Sequence, residues 1–272
     1  MNRSWLTVDF DEERHVPRAQ GHPSRSKDGV TTVSGAVSPR YTTAMKGFEQ
    51  WIKSNDYPIT FFVIADQFQS DKFREWFASL LAQFGERITV GCHGLTHRCW
   101  SAWPEDPDGF AAALAEATSV LQHHCGSHFR PWFRAPAGYI APWMAAVLSK
   151  QGYLLDSSVN PSLLVQRKAG KGNSWTAVSK AVEESGMVER VWKTRFGLPM
   201  NGPALSLFPL SILAFSAWKR APAPFPTKLL DTALLDPATQ VTTLYWHVLD
   251  HARKDGSWLP PLPQWSKPIP MN

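Results

Sequence analysis

The sequence predicts an α/β protein, a parallel (β/α) barrel in a single domain with its functional groups gathered on one rim. Three observations predict it. Strand-like and helix-like stretches alternate along most of the chain, the order expected of repeated βα units. The run 59–64 is apolar at nearly every position, the pattern of a strand covered on both faces. Five strand-like stretches end in, or just before, Asp, His or Arg: Asp9 with Asp11, His93 with His97, Arg134, Asp156 and His247. Parallel strands in a barrel share one end, so residues placed this way meet on one rim.

Each element follows from its own pattern. Residues 5–11 alternate apolar and polar like a strand and then turn acidic as Asp11-Glu12-Glu13, with His15 close enough to join a site. Residues 16–40 hold Pro, Gly, Ser and scattered charge, and read as a long loop. From Ser38 to about Asn55 the positions Met45, Phe48, Trp51 and Ile52 define one helix face. After the apolar strand at 59–64, a helix over 71–84 carries Phe73, Trp76, Phe77, Leu80 and Leu81. Ile88, Thr89 and Val90 then lead into Gly91, Cys92 and His93, and His97 follows four residues on, spaced to face the same side of one turn. A helix over 108–125, a short strand from Trp132 into a Pro/Gly loop, a helix over 142–151 and a strand at 153–158 come next. Gly152 suits the residue just past a helix end. Residues 241–247 form the last apolar strand, ending in His247.

Composition narrows the function. At 272 residues with 43% apolar and 19% charged side chains, the chain is globular and long enough for a large core. The net charge of +5 is scattered, which argues against a nucleic-acid face. Three cysteines form neither a disulfide framework nor a metal knuckle, and Cys92 reads as a small buried side chain. No hydrophobic leader or membrane-spanning run is visible, so the expectation is a cytoplasmic protein. Residues 204–218 are apolar, broken by Pro209 and followed by Lys219-Arg220. They read as a barrel strand and helix packing on the core, the alternative being a peripheral membrane contact through 204–220. Residues 221–226 read as a short rigid connector. A domain over 1–257 is followed by a proline-rich tail over 258–272. His123, His124 and His128 read as surface residues, and Asp250 and His251 as exposed residues beyond the last strand, the alternative being that they line the same rim as His247.

The strand ends carry a family resemblance. Thr7-Val8-Asp9-Phe10-Asp11 resembles the first motif of the NodB-type polysaccharide deacetylases, Thr-Phe-Asp-Asp-Gly. His93-Gly94-Leu95-Thr96-His97 resembles the second, and Arg134-Ala135-Pro136-Ala137-Gly138 matches the third, Arg-x-Pro-x-Gly. Asp156-Ser157-Ser158 and Leu244-Tyr245-Trp246-His247 resemble the fourth and fifth. The stretch Thr7 to His15 is similar to the opening of an exopolysaccharide-associated subgroup. Two positions depart from the family pattern. Phe10 stands where the second acid is usual, and Gly94 where a hydroxyl residue is usual.

The resemblance implies a distorted (β/α) barrel and a metal-dependent hydrolase that removes an acetyl group from an N-acetylated sugar or polysaccharide precursor. It implies a divalent metal, zinc for preference, held by His93, His97 and an acid. That acid is Asp11, with Glu12 as the alternative. It further implies Asp9 as general base oriented by Arg134, and His247 as general acid with Asp156 setting its tautomer. Two other functions remain open at this level. One is a deformylase or amidohydrolase acting on a lipid-linked formamido sugar, an imide or a ureide. The other is a catalytically inactive sugar-binding relative.

Overall fold

The computed structural model describes residues 2–26, 36–253 and 256–258. Residues 27–35 of the expected loop, and 259–272 of the expected tail, lie outside the described residues. Strands β1 (Arg3–Phe10), β2 (Ile59–Val63), β3 (Ile88–Cys92), β4 (Phe129–Phe133), β5 (Leu155–Asp156) and β6 (Val188–Glu189) follow in chain order. A small antiparallel hairpin, β7 (Thr194–Arg195) and β8 (Leu198–Pro199), precedes β9 (Val241–His247). Helices α1 (Pro39–Lys53), α2 (Asp71–Phe84), α3 (Pro107–Cys125), α4 (Pro142–Lys150), α5 (Trp175–Glu184), α6 (Leu210–Lys219) and α7 (Thr227–Leu235) fill the connections.

The main sheet has seven parallel strands in the order β6-β5-β4-β3-β2-β1-β9. It is curled into a half-barrel with helices around it, the predicted class. Its edges approach through the chain just after β6, where Trp192 bridges Thr243 of β9 and Lys193 N–H donates to the Thr243 carbonyl. The register aligns Asp9 with His247, Val63 with Cys92, Cys92 with Phe133, and Phe133 with Asp156. All the strands therefore deliver their C-terminal residues to one rim.

Two-residue alternation divides each strand between an outer and an inner layer. On β1, Leu6, Val8 and Phe10 join the outer core beneath the helices, where Phe10 packs edge-on against Phe48, Phe61 and Phe77. Trp5, Thr7 and Asp9 take the other face. The bottom of the interior is closed by Trp5, Phe62, Trp132 and Leu155, with Phe225 and α7 residues Leu230 and Leu234 beneath them. Burying an aromatic of this size contributes about 1.5–3 kcal/mol. Phe62 fits because β3 carries Gly91: a Cβ there would lie 2.6 Å from the Phe62 ring.

Several expectations change in three dimensions. Residues 204–218 form no strand. They make a short helical turn at Gly202–Leu205 and then α6, because Pro209 and the helix-favouring run after it suit a helix start. Ala204, Leu205, Ala214, Ala217 and Trp218 are buried in the core, while Leu207, Phe208 and Ile212 face outward. The strand expected at 153–158 is reduced to Leu155–Asp156. Gly152 does sit past α4 with φ +82°, beyond Gln151 as C-cap. The connector at 221–226 runs beneath β1, with Ser4 N–H donating to the Ala223 carbonyl and Phe225 N–H to the Ser4 carbonyl. Trp258 packs against Trp246 and donates to the Val248 carbonyl. Among the described residues no helix is long and apolar enough to cross a membrane.

Candidate active site

Asp9 ends the inner face of β1, and the same alternation turns Phe10 outward and Asp11 inward again. Position 10 therefore faces the helix layer, and the acid that can reach the rim is Asp11. Glu12 is turned elsewhere. Its carboxylate accepts hydrogen bonds from the Arg14 and Ser38 backbone amides at the start of a helical turn, Glu13–His15. His15 does not reach the centre either. It is fully buried behind His97, with Nε2 2.9 Å from Asp66, which also takes a pair of hydrogen bonds from Arg14.

His93 follows β3 directly, and its Nδ1 lies 2.8 Å from the Arg134 carbonyl. With Nδ1–H donating to that carbonyl, Nε2 keeps a free lone pair. His97 returns to the same place on an irregular loop instead of a helical turn. Ala65 and Asp66 amides hold that loop at the Gly94 and Leu95 carbonyls. Gly94 has φ +92°, and a Cβ there would lie 2.9 Å from the Thr96 carbonyl oxygen, which accounts for glycine at this position.

Asp11 Oδ1 lies 3.4 Å from His93 Nε2, and Asp11 Oδ2 lies 3.5 Å from His97 Nε2. The three potential ligand atoms lie within 4.8 Å of one another. Asp11 Oδ1, His93 Nε2 and His97 Nε2 are all buried without a hydrogen-bond partner. Buried polar atoms left this way are costly, and a cation between them would satisfy all three at once. The donor set, two imidazoles and one carboxylate, suits a divalent transition metal.

The charges answer one another. Burial works against the Asp11 anion, yet His97, His93 and His247 hold its carboxyl far below the usual carboxylate range. Burial also opposes charge on His93, but Asp9 and Asp11 outweigh it and raise that imidazole. His97 is pushed down to about 3, chiefly by burial, so it stands as a neutral donor.

Arg134, just past β4, is fully buried and gives every arm of its guanidinium a partner. Nη1 donates to Asp9 Oδ1 at 2.6 Å and to Thr7 Oγ1 at 2.8 Å, while Nε and Nη2 donate to the Ser157 carbonyl and hydroxyl. The group lies 4.1 Å from the Phe62 ring centroid and 5.1 Å from that of Tyr245. Only Asp9 Oδ2 is left facing the rim, 4.0 Å from His93 Nε2 and 3.9 Å from His247 Nε2.

His247 is not oriented by Asp156. Its Nδ1 pairs with Asp250 Oδ2 at 2.8 Å, because the helical turn after β9 folds position 250 back onto 247. Asp250 is thus drawn into the site, and His251 is buried, against the expectation that both are exposed. Burial disfavours the His247 cation, but Asp250 first and then Asp11 and Asp9 raise it to about 9. Asp156 sits one step away. It accepts hydrogen bonds from the Ser158 amide and hydroxyl, and the Ser158 hydroxyl in turn accepts from the Ala135 amide, so it anchors the loop after Arg134. Across the sheet it is in register with Glu189, and burial raises both carboxyls, Glu189 further through the proximity of Asp156.

The sequence offered Asp250 only as the less favoured alternative, and Glu189 and the aromatic wall of Trp192 and Tyr245 were missed. Asp250 carried a signal, a carboxylate three residues past a strand-end histidine. Glu189 carried none, since its strand has two residues. The rim opens into a cleft of about 370 Å³ that includes Asp9, Asp11, His97 and His247.

Fold and site together define the class: a parallel α/β half-barrel with an acid–imidazole centre at the C-terminal ends of its strands. Residues 36–155 match the family model described as polysaccharide deacetylase. A crystal structure from Mycobacterium smegmatis, described as a polysaccharide deacetylase, superposes with TM-score 0.52 at 15% identity, covering 91% of this chain and 77% of that one. The structure of IcaB from Ammonifex degensii aligns at 17% identity over 81% of this chain and 99% of that one, with TM-score 0.38. No curated protein matches the sequence. Residues 36–155 are thus similar to the polysaccharide deacetylases, the family the motifs resemble, and the likeness to the solved Mycobacterium smegmatis structure is one of fold. The matched segment contains His93, His97 and Arg134, whereas Asp9, Asp11, Asp156 and His247 lie outside it.

Proposed function

We propose that this protein is a metal-dependent hydrolase that removes the acetyl group from an N-acetylated sugar or polysaccharide precursor. The observation that carries this reading is the convergence of three unpartnered buried atoms, Asp11 Oδ1, His93 Nε2 and His97 Nε2, beside the free oxygen of an arginine-anchored carboxylate. Asp11, His93 and His97 would hold the metal, and zinc is the ion this donor set suits best. When bound, such an ion supplies Lewis-acid polarisation of the acyl carbonyl and makes a nearby water more acidic.

The chain's own residues carry the proton transfers. Asp9 Oδ2 accepts the proton of the attacking water, while Arg134 and Thr7 hold the carboxylate in a single orientation. His247, with Nδ1–H engaged by Asp250, presents a proton on Nε2 to the leaving amine. Asp156, by way of Ser158, keeps the Arg134 loop in place. Trp192 and Tyr245 form an apolar wall on which a sugar ring can stack.

Metal analysis of the purified protein, combined with a screen of N-acetylated and N-formylated sugars, tests the proposal. One equivalent of divalent metal and release of acetate are expected. Release of formate alone would replace this reading with a deformylase. Bound sugar without either acid, in a protein that takes up no metal, would replace it with a sugar-binding relative. The outward-facing Leu207, Phe208 and Ile212 support a peripheral membrane contact through 204–220. Sedimentation with anionic vesicles tests it, and a Phe208→Ser variant that binds as well as the parent would remove it.

A further inference from the structure

The cleft has a second set of charged groups. Arg25, Arg167 and Lys168 line it together, in addition to Asp9, Asp11, His97 and His247. Lys168 Nζ donates to the Ala137 carbonyl at 2.7 Å and lies 5.3 Å from the Tyr139 ring centroid. Arg25 donates to the hydroxyl of the same tyrosine at 3.4 Å. These contacts bring two cations to one side chain, and Arg167 precedes Lys168 in the chain. Among the described residues no carboxylate lies within 4.0 Å of any of the three.

Surface cations are ordinarily interspersed with acids, so three unpaired cations converging inside one cleft mark a field for an anion. The field is felt locally. Lys168 is pulled down to about 8, mainly by burial, with Arg25 and Arg167 adding to it. Nearby His22 is lowered by burial and by the same three cations. A neutral sugar has no use for this arrangement. A phosphate offers three acceptor oxygens, and arginine with lysine supplies the matching donors.

We propose that Arg25, Arg167 and Lys168 bind a phosphate group carried by the acylated sugar, so that the substrate is a phosphorylated or phosphate-linked N-acyl sugar. The proposal rests on the functional reading above, which puts the reacting acyl group beside Asp11 and leaves the cations for the rest of the substrate. The phosphate can belong to a soluble sugar phosphate or to a lipid-linked sugar, and the two sources share this recognition.

Binding, measured without turnover, tests it. Chelator-treated and metal-loaded protein are titrated with N-acetylglucosamine and with its 1-phosphate. In a second arm, they are titrated with a polyprenyl-phosphate-linked N-acetylated sugar in neutral vesicles, against vesicles without it. A phosphate held by charge-assisted hydrogen bonds should bind about tenfold or more tightly than the neutral sugar. The advantage should weaken with added salt and be largely lost in Arg25→Gln/Arg167→Gln, whose exposed positions leave the fold intact. An advantage in the first arm identifies a soluble phosphate, and one confined to the second identifies a lipid-linked one. Equal binding of neutral and phosphorylated ligands in both arms, or an advantage unchanged in the double variant, overturns the proposal. Because the readout is affinity, a protein that binds the phosphate but releases no acid would refute the hydrolase reading alone.

Discussion

The lower end of the barrel interior holds Trp5, Phe62, Trp132 and Leu155, and the upper end, further along the same strands, holds Asp9, Arg134 and Ser157. Both sets occupy inward positions of a parallel sheet, yet the lower set packs shut, whereas the upper set adjoins a cleft where Asp11 Oδ1, His93 Nε2 and His97 Nε2 lack hydrogen-bond partners. Arg134 marks the transition. Its face rests on Phe62 and its nitrogens reach up to Asp9, so the apolar plug becomes the platform for a buried ion pair. The lower set buries apolar surface in mutual contact and contributes stability, although the Trp132 indole N–H has no hydrogen-bond partner among the described residues. Among the upper groups, Asp9 Oδ1 and Arg134 are satisfied, whereas Asp11 Oδ1, His93 Nε2 and His97 Nε2 have no hydrogen-bond partner. That division separates the scaffold from the chemistry.

The strongest way to break the comparison is to remove the upper groups one at a time. Asp9→Asn should lower kcat by about 10²–10⁴-fold while the purified protein keeps its metal. His93→Ala should lose metal and turnover together, as read by metal analysis of the same preparations. An Asp9→Asn protein that has lost its metal would show that the two carboxylates do not divide the work.

At the lower end, Trp132→Ala should cost about 3–5 kcal/mol of unfolding free energy, measured by denaturant titration. Its metal content per folded molecule should be unchanged. A loss of metal with full stability would invert the assignment of the two ends.

A smaller effect is expected at Asp250. Its carboxylate raises the proton affinity of His247, so the acid form needed by the leaving amine survives to higher pH. Asp250→Asn should move the alkaline limb of the kcat profile to lower pH and reduce kcat less than His247→Ala does. An unmoved limb would assign that limb to another group.

The smallest effect concerns Glu189, whose folded-state pKa is raised by burial and by Asp156. A raised carboxyl contributes its full stability below the unfolded value, and that contribution is lost as pH rises toward the folded value. Glu189→Gln should therefore leave thermal stability near pH 4 unchanged and raise it at pH 8. A parallel shift at both pH values would point to packing instead of ionisation.

Much of this was legible before any coordinates. The alternation of residues 5–11 marked a strand that turns acidic, and the resemblance pointed to Asp11 with Glu12 as the alternative; the structure turned Phe10 outward into the helix layer. The apolar runs marked β2, β3 and β9, and their last residues marked the rim. Less was legible between 156 and 241, because β5 and β6 have two residues each and are too short for a period to register. Asp156 illustrates the limit. The resemblance made it a partner for His247, but its neighbours in the sheet are Phe133 and Glu189, and four strands lie between β5 and β9 in the sheet order.

By itself, then, the sequence determined the parallel architecture, the rim and the residue types on it, because strand periodicity and strand-end chemistry are local properties of the chain. Tertiary structure alone decided which of those residues touch. It gave His247 to Asp250, Asp156 to the Arg134 loop, and brought three unpaired cations into one cleft. Those pairings depend on how strands and loops far apart in sequence close around one interior, and no local pattern records that.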